Sequence, residues 1–266
     1  MGRRPALTPA DAPAGLPGGA GALPVDRDPR RIAAMFGGIA GRYDLMNRLM
    51  TMGLDRRWRS IAADEAVASG GLRVLDACCG TGDLSLALAR ARPGCEVVGL
   101  DFTPAMLARA RAKTDAARRD GEDLRVTFVQ GDLLDLPFAD AEFYAVTVGW
   151  GVRNVPDVPR AFREMRRVTR PGGKVVCLES TVAPPGLERR FHAAWMGHVV
   201  PALGRVVTGD SSAYAYLPAS VQAFPRVHEL AAIMAAAGLV RVRYRRFGFG
   251  AVALHVGEVP MSADAP

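Results

Sequence analysis

The amino-acid sequence predicts an α/β fold with a seven-stranded, mostly parallel sheet, helices on both faces and an antiparallel hairpin at its C-terminal end. Between residues 73 and 180, short apolar runs alternate with stretches of helical periodicity, a pattern typical of parallel strands joined by helical crossovers. The last two apolar runs, 239–247 and 250–257, are joined only by the turn Gly248-Phe249-Gly250. Because so short a connection cannot carry a parallel crossover, this final pair is predicted to be antiparallel.

The individual elements follow in a regular order. Residues 28–70 show the apolar spacing expected of N-terminal helices, and Gly53 is predicted to separate two of them. The core is then predicted as strand 73–78, helix 83–91, strand 96–101, helix 104–119, strand 125–130, strand 143–149, helix 157–169 and strand 174–180. Proline at the first position supports the helix that starts at Pro104. A last helix, 226–237, precedes the hairpin.

The chain is expected to form one large domain over residues 28–258. Residues 1–27 are rich in proline, alanine and glycine and lack periodicity, so they are predicted to be a disordered tail, with a second tail at 259–266. Residues 181–225 interrupt the alternation of strands and helices. Because so long a segment is rarely a plain connection, it is predicted to be a substrate-cap insertion.

Composition excludes several classes of protein. The net charge is +7, but the arginines are scattered and not interleaved with aromatic residues, so nucleic-acid binding is not expected. No apolar run reaches the roughly 18 residues of a membrane span, and the N-terminus lacks a secretory apolar segment, so a cytoplasmic location is expected. The four cysteines have no metal-type spacing and are predicted to be reduced, buried thiols.

A glycine turn is the strongest functional signal. Gly80-Thr81-Gly82 lies between a predicted strand and helix, where a ligand can approach the backbone closely. Asp101 ends the next strand, a position from which a carboxylate accepts hydrogen bonds from a ribose diol. Asp83, in the first helical turn, would repel a pyrophosphate, although it also serves as a simple helix cap. These residues favour S-adenosylmethionine, which is cationic and lacks phosphate, over NAD.

Further blocks of sequence resemble a known family. The most specific are Tyr43-Asp44-Leu45-Met46-Asn47 and Gly151-Val152-Arg153-Asn154-Val155. The others are Met35-Phe36, Gly53-Leu54-Asp55-Arg56-Arg57-Trp58-Arg59, the glycine turn, Gly131-Asp132, Leu136-Pro137-Phe138, Arg170-Pro171-Gly172-Gly173, Gly209-Asp210, Tyr214-Ala215-Tyr216-Leu217 and Gly250-Ala251-Val252-Ala253-Leu254-His255. Over residues 30–258 the chain resembles the class I S-adenosylmethionine-dependent methyltransferases and, within them, the ubiquinone/menaquinone biosynthesis C-methyltransferases. The resemblance implies a Rossmann-like fold.

The resemblance implies roles for particular residues in holding the methyl donor. Gly80, Thr81 and Gly82 are expected to line its methionine part, and Asp101 to hold its ribose. Asp132 and Leu133 are expected to frame its adenine, although Asp132 is otherwise read as a solvated loop acid. Asp76 is expected to support the site from behind.

The resemblance also implies the chemistry of the acceptor. Arg153 is expected to stabilise the oxyanion of the acceptor, or else to pair with a surface acid, and Asn154 to orient the acceptor or a water. Two positions depart from the family pattern: Asp55 stands where many members have histidine, and Gly149 where some have serine.

The implied acceptor is a membrane-embedded isoprenoid quinol, with demethylmenaquinol preferred. A peripheral position on the inner face of the plasma membrane follows, with Met46, Leu49, Met50 and Met52 as an apolar mouth or as ordinary core, and Arg56-Arg57-Trp58-Arg59 facing lipid headgroups. Three alternatives stay open: an O- or N-methyltransferase acting on a soluble small molecule, an NAD-dependent oxidoreductase, and a degenerate domain used for interaction. The choice between naphthoquinol and benzoquinol, the prenyl length, the general base and the oligomeric state are also open.

Overall fold

The computed structural model describes residues 27–68, 70, 72–200, 202 and 212–261. The N-terminal segment forms three helices, α1 (Pro29–Ile39), α2 (Tyr43–Met50) and α3 (Leu54–Val67). Gly53 separates α2 from α3, as predicted, and adopts a left-handed backbone with φ of 77°. A further break at residues 40–42, which was not predicted, separates α1 from α2.

The remaining elements alternate as predicted. They are β1 (Arg73–Ala77), α4 (Asp83–Ala91), β2 (Glu96–Asp101), α5 (Pro104–Arg119), β3 (Arg125–Gln130), β4 (Phe143–Gly149), α6 (Val158–Val168), β5 (Thr169–Ser180), α7 (Leu187–Ala194), α8 (Ser212–Gln222), α9 (Val227–Ala236), β6 (Val240–Phe247) and β7 (Val252–Glu258). Short 3-10 turns lie at Val152–Asn154 and Gly248–Gly250, and a π-helical turn at Trp195–Val199. Strand β5 begins five residues earlier than predicted, because Thr169 already pairs with Phe143 before the register shifts.

The sheet has the predicted mixed architecture. Its strand order is β3-β2-β1-β4-β5-β7-β6, with β7 antiparallel to both of its neighbours. The central strand β1 is parallel to β2 on one side and to β4 on the other, so Ala77 lies opposite both Leu100 and Val148. The order of the strands reverses here, and ligands of such sheets bind beyond the carboxyl ends of the strands at this point.

Successive residues of a strand point to opposite faces of the sheet, so they pack in different halves of the core. Leu75 and Val146 pack with α6 and α9 on one face, whereas Val74 and Ala145 pack with α3 and α4 on the other. Because both faces are covered, the central strands β1 and β4 are mainly buried and apolar, which explains their apolar runs in the sequence.

Several predicted segments lie at the margins of the described chain. Residues 1–26, 201, 203–211 and 262–266 lie outside the described residues, and with them most of the predicted N-terminal tail and the block Gly209-Asp210. The described part of 181–225 contains α7, the π-helical turn and α8. The predicted C-terminal tail starts too early, because Val259 is buried and exchanges backbone hydrogen bonds with Gly172 and Gly173, each at 2.9 Å. All four cysteines are free thiols, as expected.

Candidate functional site

A first cavity opens beyond the carboxyl ends of β1, β2 and β4. Among the predicted donor-binding residues, Gly80, Thr81, Asp101, Asp132 and Leu133 line it. The topology thus brings together residues that lie up to 53 positions apart in the chain, from Gly80 to Leu133. Gly82 alone of the predicted set does not line this cavity.

Gly82 shapes the turn instead of lining the cavity. Its φ is 84°, and a Cβ atom placed on it would lie 3.0 Å from the Ala110 Cβ and 3.3 Å from the ring of Phe128. Its N–H donates to the carbonyl of Cys79 at 2.9 Å, and α4 begins at the next residue. Only glycine fits both this backbone conformation and this approach to α5.

Asp101 ties the glycine turn to the end of β2. One carboxylate oxygen accepts the N–H of Gly80 at 2.8 Å, and the other accepts the N–H of Thr103 at 2.8 Å. Burial raises the pKa of Asp101, and the two backbone N–H groups oppose this increase. Each oxygen keeps a second lone pair that can accept a hydrogen bond from a diol.

Asp132 and Leu133 lie together on the loop after β3. Asp132 Oδ1 accepts the N–H of Leu134 at 2.8 Å, which fixes the carboxylate at the cavity wall. Leu133 is buried beside it. One polar and one apolar contact at this position suit the edge and the face of a heterocyclic base.

Asp76 is buried behind the turn and also reaches the cavity. Ser85 Oγ donates to its carboxylate at 2.6 Å and Thr147 Oγ1 donates at 3.1 Å, so β1, β4 and α4 meet at this side chain. Burial raises the pKa of Asp76 to about 7. This location is consistent with the supporting role expected for Asp76.

Asp83 has partners that were not predicted. Lys113 donates to its carboxylate, and the Arg59 guanidinium lies 3.7 Å away. Although burial opposes ionisation, these two cations lower the pKa of Asp83. Lys113 carries no local sequence signal, because it is a single basic residue in an ordinary helical pattern and meets Asp83 only in the folded chain.

A second, mainly apolar cavity adjoins the first. Methionine and aromatic side chains dominate its wall, notably Met35, Met46, Met50, Trp58, Trp195 and Leu217. Among the described residues, Phe36, Tyr43, Arg59 and Trp150 line both cavities, so the two meet at these side chains. Of the predicted apolar mouth, Met46, Met50 and Met52 line this cavity, although Met46 is also part of the buried core, whereas Leu49 is exposed and does not line it.

Arg153 lies in the wall of the second cavity. Its Nη1 donates to Glu179 Oε1 at 2.8 Å and to the Trp150 carbonyl at 2.6 Å. The alternative of a surface acid as its partner was wrong, because the side chain of Glu179 is only 1% exposed. Burial disfavours the charge on Arg153, but the Glu179 carboxylate together with Tyr43 and Tyr216 outweighs burial and raises the pKa of Arg153. Sequence reasoning missed Glu179 as the partner of Arg153. Its sequence signal is its position, as the acidic residue that directly follows the apolar run Val175–Leu178.

Asn154 lies at the first cavity beside this pair. Its Oδ1 accepts the hydroxyl of Tyr216 at 3.1 Å, and its Nδ2 donates to the Trp150 carbonyl at 3.4 Å. Trp150 adopts a left-handed backbone, with φ of 55°, which directs one carbonyl to both Arg153 and Asn154. The side chain of Tyr214 lies outside the described residues.

The two departures from the family pattern have structural partners. Asp55 is buried, lines the second cavity, accepts from the Thr51 hydroxyl at 3.0 Å and pairs with Arg59. A Cβ atom on Gly149 would lie 3.1 Å from Leu84 Cδ2, so a serine there would require a small shift of that leucine.

Comparison with known proteins gives matches over nearly the whole described chain. The model of the ubiE/COQ5 methyltransferase family matches residues 25–259. The demethylmenaquinone methyltransferase of Thermus thermophilus is 47% identical over 226 residues, which is 85% of this chain and 100% of that protein. The enzyme of the same name from Deinococcus radiodurans is 44% identical, covering 85% of this chain and 92% of that protein. A ubiquinone/menaquinone biosynthesis C-methyltransferase from Dinoroseobacter shibae is 37% identical, covering 85% and 89%.

Solved structures share the fold. An S-adenosylmethionine-dependent methyltransferase from Thermotoga maritima has a TM-score of 0.55 at 17% identity, covering 85% of this chain and 98% of its own. The [4+2]-cyclase SpnF has a TM-score of 0.55 at 19% identity, covering 91% and 99%. At such identities the likeness concerns the fold alone, and the second case shows that this fold supports other reactions.

Proposed function

The chain belongs to the ubiE/COQ5 methyltransferase family, and from this premise we propose that it transfers a methyl group from S-adenosylmethionine to a ring carbon of a demethylated isoprenoid quinol, with demethylmenaquinol as the acceptor. One observation carries the proposal: a cavity whose wall contains several carboxylates and a mainly apolar cavity meet at Phe36, Tyr43, Arg59 and Trp150. A donor and an apolar ring bound in the two cavities would face each other there. The names of the Thermus thermophilus and Deinococcus radiodurans relatives, 47% and 44% identical, support this acceptor.

The residues of the first cavity fit a cationic, phosphate-free donor. The carboxylates of Asp83, Asp101 and Asp132 all line it, and Asp83 is held ionised at the first turn of α4. A pyrophosphate in this place would be repelled by that charge, which argues against NAD. We assign the methionine part to Gly80 and Thr81, the ribose to Asp101, and the adenine to Asp132 and Leu133.

The second cavity fits a fused aromatic ring with an apolar substituent. It encloses about 1340 Å³ of empty space including its mouth, and its wall is mainly Met, Leu and aromatic side chains. Such a volume holds a bicyclic ring and the first part of a prenyl chain. Burial of these surfaces would supply most of the binding free energy, at about 25 cal/mol per Å².

The chemistry requires a carbon nucleophile and an electrophilic methyl group. S-Adenosylmethionine supplies that methyl group on a positively charged sulfur. When a quinol hydroxyl loses its proton, electron density rises on the ortho carbon. Methylation then forms a carbon–carbon bond, breaks the carbon–sulfur bond of the donor and releases the ring proton. Correct alignment of two bound reactants contributes roughly 7–11 kcal/mol.

Arg153 is the residue we assign to the quinol oxygen. Its charge is retained through the ion pair with Glu179, and it lies in the wall of the apolar cavity. A guanidinium in this dry environment stabilises a developing phenolate more than it would in water. Asn154, fixed by Tyr216 and the Trp150 carbonyl, orients the acceptor or the water that takes the ring proton.

We also propose that the mouth of the second cavity contacts the membrane that holds the prenyl chain. Within the described residues, no helix combines the length and hydropathy needed to cross a bilayer. Met52, Leu54 and Phe249 line this cavity and are 60%, 39% and 67% exposed. The exposed Arg56 and Arg57 follow on α3, where they can meet anionic headgroups.

A vesicle experiment tests this contact. The double variant Met52→Ser/Leu54→Ser is expected to bind anionic vesicles roughly tenfold more weakly in sedimentation. Leu72→Ser is the matched control, because Leu72 is 52% exposed just before the amino end of the central strand β1. Equal binding of both variants and the wild type would contradict a membrane contact here.

The methyl-transfer proposal is tested with the full chain, S-adenosylmethionine labelled in its methyl group, and reduced demethylmenaquinone in detergent. Label is expected in the quinone fraction. If the protein binds S-adenosylhomocysteine but labels no quinone, the assigned acceptor is wrong. A demethylated benzoquinol assayed in parallel shows which ring is preferred, and soluble phenols and amines test the O- and N-methylation alternatives.

A further inference from the structure

An ionic cluster joins three helices beside the first cavity. Lys113 on α5 donates to Asp44 on α2 at 2.7 Å, to Thr81 at 3.1 Å and to Asp83 on α4. The Thr81 hydroxyl donates its own proton to the other Asp44 oxygen at 2.5 Å. The three N–H groups of Lys113 therefore have three acceptors. We call Asp44, Thr81, Asp83 and Lys113 the Lys113 cluster.

This cluster is one of the attachments of α2. The helix has only eight residues, all of them described, and Met46 is the one that is buried. An isolated helix shorter than about 12–15 residues is marginal in water, so tertiary contacts must hold it. Met46 packs in a small apolar group with Met35, Ile39 and Val200. Asp44 supplies a polar attachment to the glycine turn, and Trp195 Nε1 supplies another by donating to the Met50 carbonyl at 3.1 Å.

Helix α2 is part of the wall of both cavities. Tyr43 lines the donor cavity and the acceptor cavity, and Met46, Asn47 and Met50 line the acceptor cavity. A displacement of α2 would therefore open the acceptor cavity. Because Asp44 belongs to α2, the contacts that hold Asp44 against the glycine turn also hold this wall of the acceptor cavity in place.

The donor side of the cluster presents both signs of charge to the cavity. Asp83 and Arg59 line the first cavity with their charged groups 3.7 Å apart, and Arg59 is buried, paired with Asp55 and stacked over the Trp150 ring at 4.8 Å. The amino-acid end of S-adenosylmethionine also has both signs, as an ammonium and a carboxylate. Asp83 is the complement of the ammonium, and Arg59 is the complement of the carboxylate.

We propose that Asp83 and Arg59 bind the amino-acid end of the methyl donor, and that Lys113 and Asp44 transmit this contact to α2, so that donor binding stabilises this wall of the acceptor cavity. The inference rests on the proposed function for the identity of the donor. Asp83 and Arg59 contact the donor directly, whereas Lys113 and Asp44 are positioning residues, since they do not line the cavity among the described residues.

Thermodynamic linkage gives the proposal a measurable form. If the donor fixes α2 and α2 completes the acceptor cavity, the donor must strengthen acceptor binding and the acceptor must strengthen donor binding by the same factor. An adenosine ligand without the amino-acid end occupies the rest of the donor site but leaves α2 unaffected. S-Adenosylhomocysteine has the amino-acid end, whereas 5′-methylthioadenosine lacks it.

The first experiment compares these two ligands by calorimetry. The wild type is expected to bind S-adenosylhomocysteine at least roughly tenfold more tightly than methylthioadenosine. Lys113→Met and Asp44→Asn are expected to lose most of this preference while methylthioadenosine affinity stays unchanged. Arg90→Met is the matched control, because Arg90 forms an exposed pair with Glu122 on the outer side of α4. An unchanged preference in both variants would overturn the role of the cluster.

The second experiment follows α2 itself. Hydrogen exchange of the amides of residues 43–50 is expected to slow when S-adenosylhomocysteine binds and to stay unchanged with methylthioadenosine. The protection should disappear in Asp44→Asn. Equal protection by both ligands would overturn the link to α2, and the comparison in the wild type needs no variant to fold.

Both readouts are independent of the acceptor. If the amino-acid end protects α2 but no quinone is methylated, the coupling stands and the proposed acceptor fails. If quinone is methylated but α2 responds equally to both ligands, the proposed function stands and this inference fails.

Discussion

Asp101 Oδ2 accepts the backbone N–H of Gly80 at 2.8 Å, so the residue assigned to the ribose also holds the glycine turn in place. Its other oxygen anchors Thr103 and with it the start of α5. One side chain therefore shapes the donor site and is available to bind in it. Replacement of Asp101 should affect both properties.

Asp101→Ala is expected to weaken S-adenosylhomocysteine binding by roughly 100-fold, because hydrogen bonds to a charged group contribute about 1.5–3 kcal/mol each. Calorimetry measures the loss. Asp135→Asn is the control, since Asp135 lies exposed on the same edge of the sheet. Wild-type affinity in Asp101→Ala would remove the ribose assignment.

Gly82→Ala is expected to lower the free energy of unfolding by about 1–3 kcal/mol, because alanine is strained at positive φ and its Cβ would meet Ala110 at 3.0 Å. Gly94→Ala separates the two causes. Gly94 has a φ of 80° but has no atom within 4 Å of the added Cβ, so only the backbone strain applies. Denaturant titration should show a larger loss for Gly82, and equal losses would mean that the contact with α5 adjusts freely.

Glu179→Gln is expected to lower kcat by about 10²–10³ with little change in donor affinity, because the glutamine keeps the shape but leaves Arg153 without its counter-charge. Arg153→Lys should behave similarly, since an ammonium cannot reproduce the geometry of the guanidinium with Glu179 and Trp150. Steady-state kinetics with the quinol give kcat and KM separately. Arg160→Met, on the exposed side of α6, serves as the control. A rise in KM alone would assign Arg153 to binding instead of to the phenolate.

His255 makes stability dependent on pH. Its Nε2 lies 2.9 Å from the Val227 carbonyl, and burial lowers its pKa from 6.5 to about 4. Between these values the unfolded chain binds more protons, so stability is lost as the pH falls from about 6.5 to 4, by up to about 3 kcal/mol. His255→Gln should flatten this part of the stability curve.

Asp76 changes the stability with pH in the direction opposite to His255. The two effects must therefore be separated by comparing variants. Its pKa of about 7, raised from 3.8 by burial, means that stability is lost as the pH rises through this interval. The free energy of unfolding of the wild type, His255→Gln and Asp76→Asn, measured between pH 4 and 7.5, separates the contribution of His255 from that of Asp76. If stability changed with pH in the same way in the wild type and in His255→Gln, His255 would not be a buried neutral histidine with a lowered pKa.

The sequence by itself determined the order and nearly the bounds of the central elements. Strand β2, helix α4 and helix α5 have the predicted limits, because apolar periodicity and a turn glycine or proline are local signals. It also indicated most of the residues that line the first cavity, since a glycine turn and a strand-end acid lie at the same end of the strands in any parallel sheet. The second break in the N-terminal helices was missed because glycine propensity is only a weak local preference.

Only the tertiary structure decided the partners of the charged residues. Lys113 meets Asp83 across 30 positions, Asp44 meets Thr81 across 37, and Arg153 meets Glu179 across 26. Such pairs depend on which helices pack together and on which face of the sheet, and no periodicity of the chain encodes this. The sequence therefore specified the donor through local geometry, while the link between the donor turn and the wall of the acceptor cavity exists only in the folded molecule.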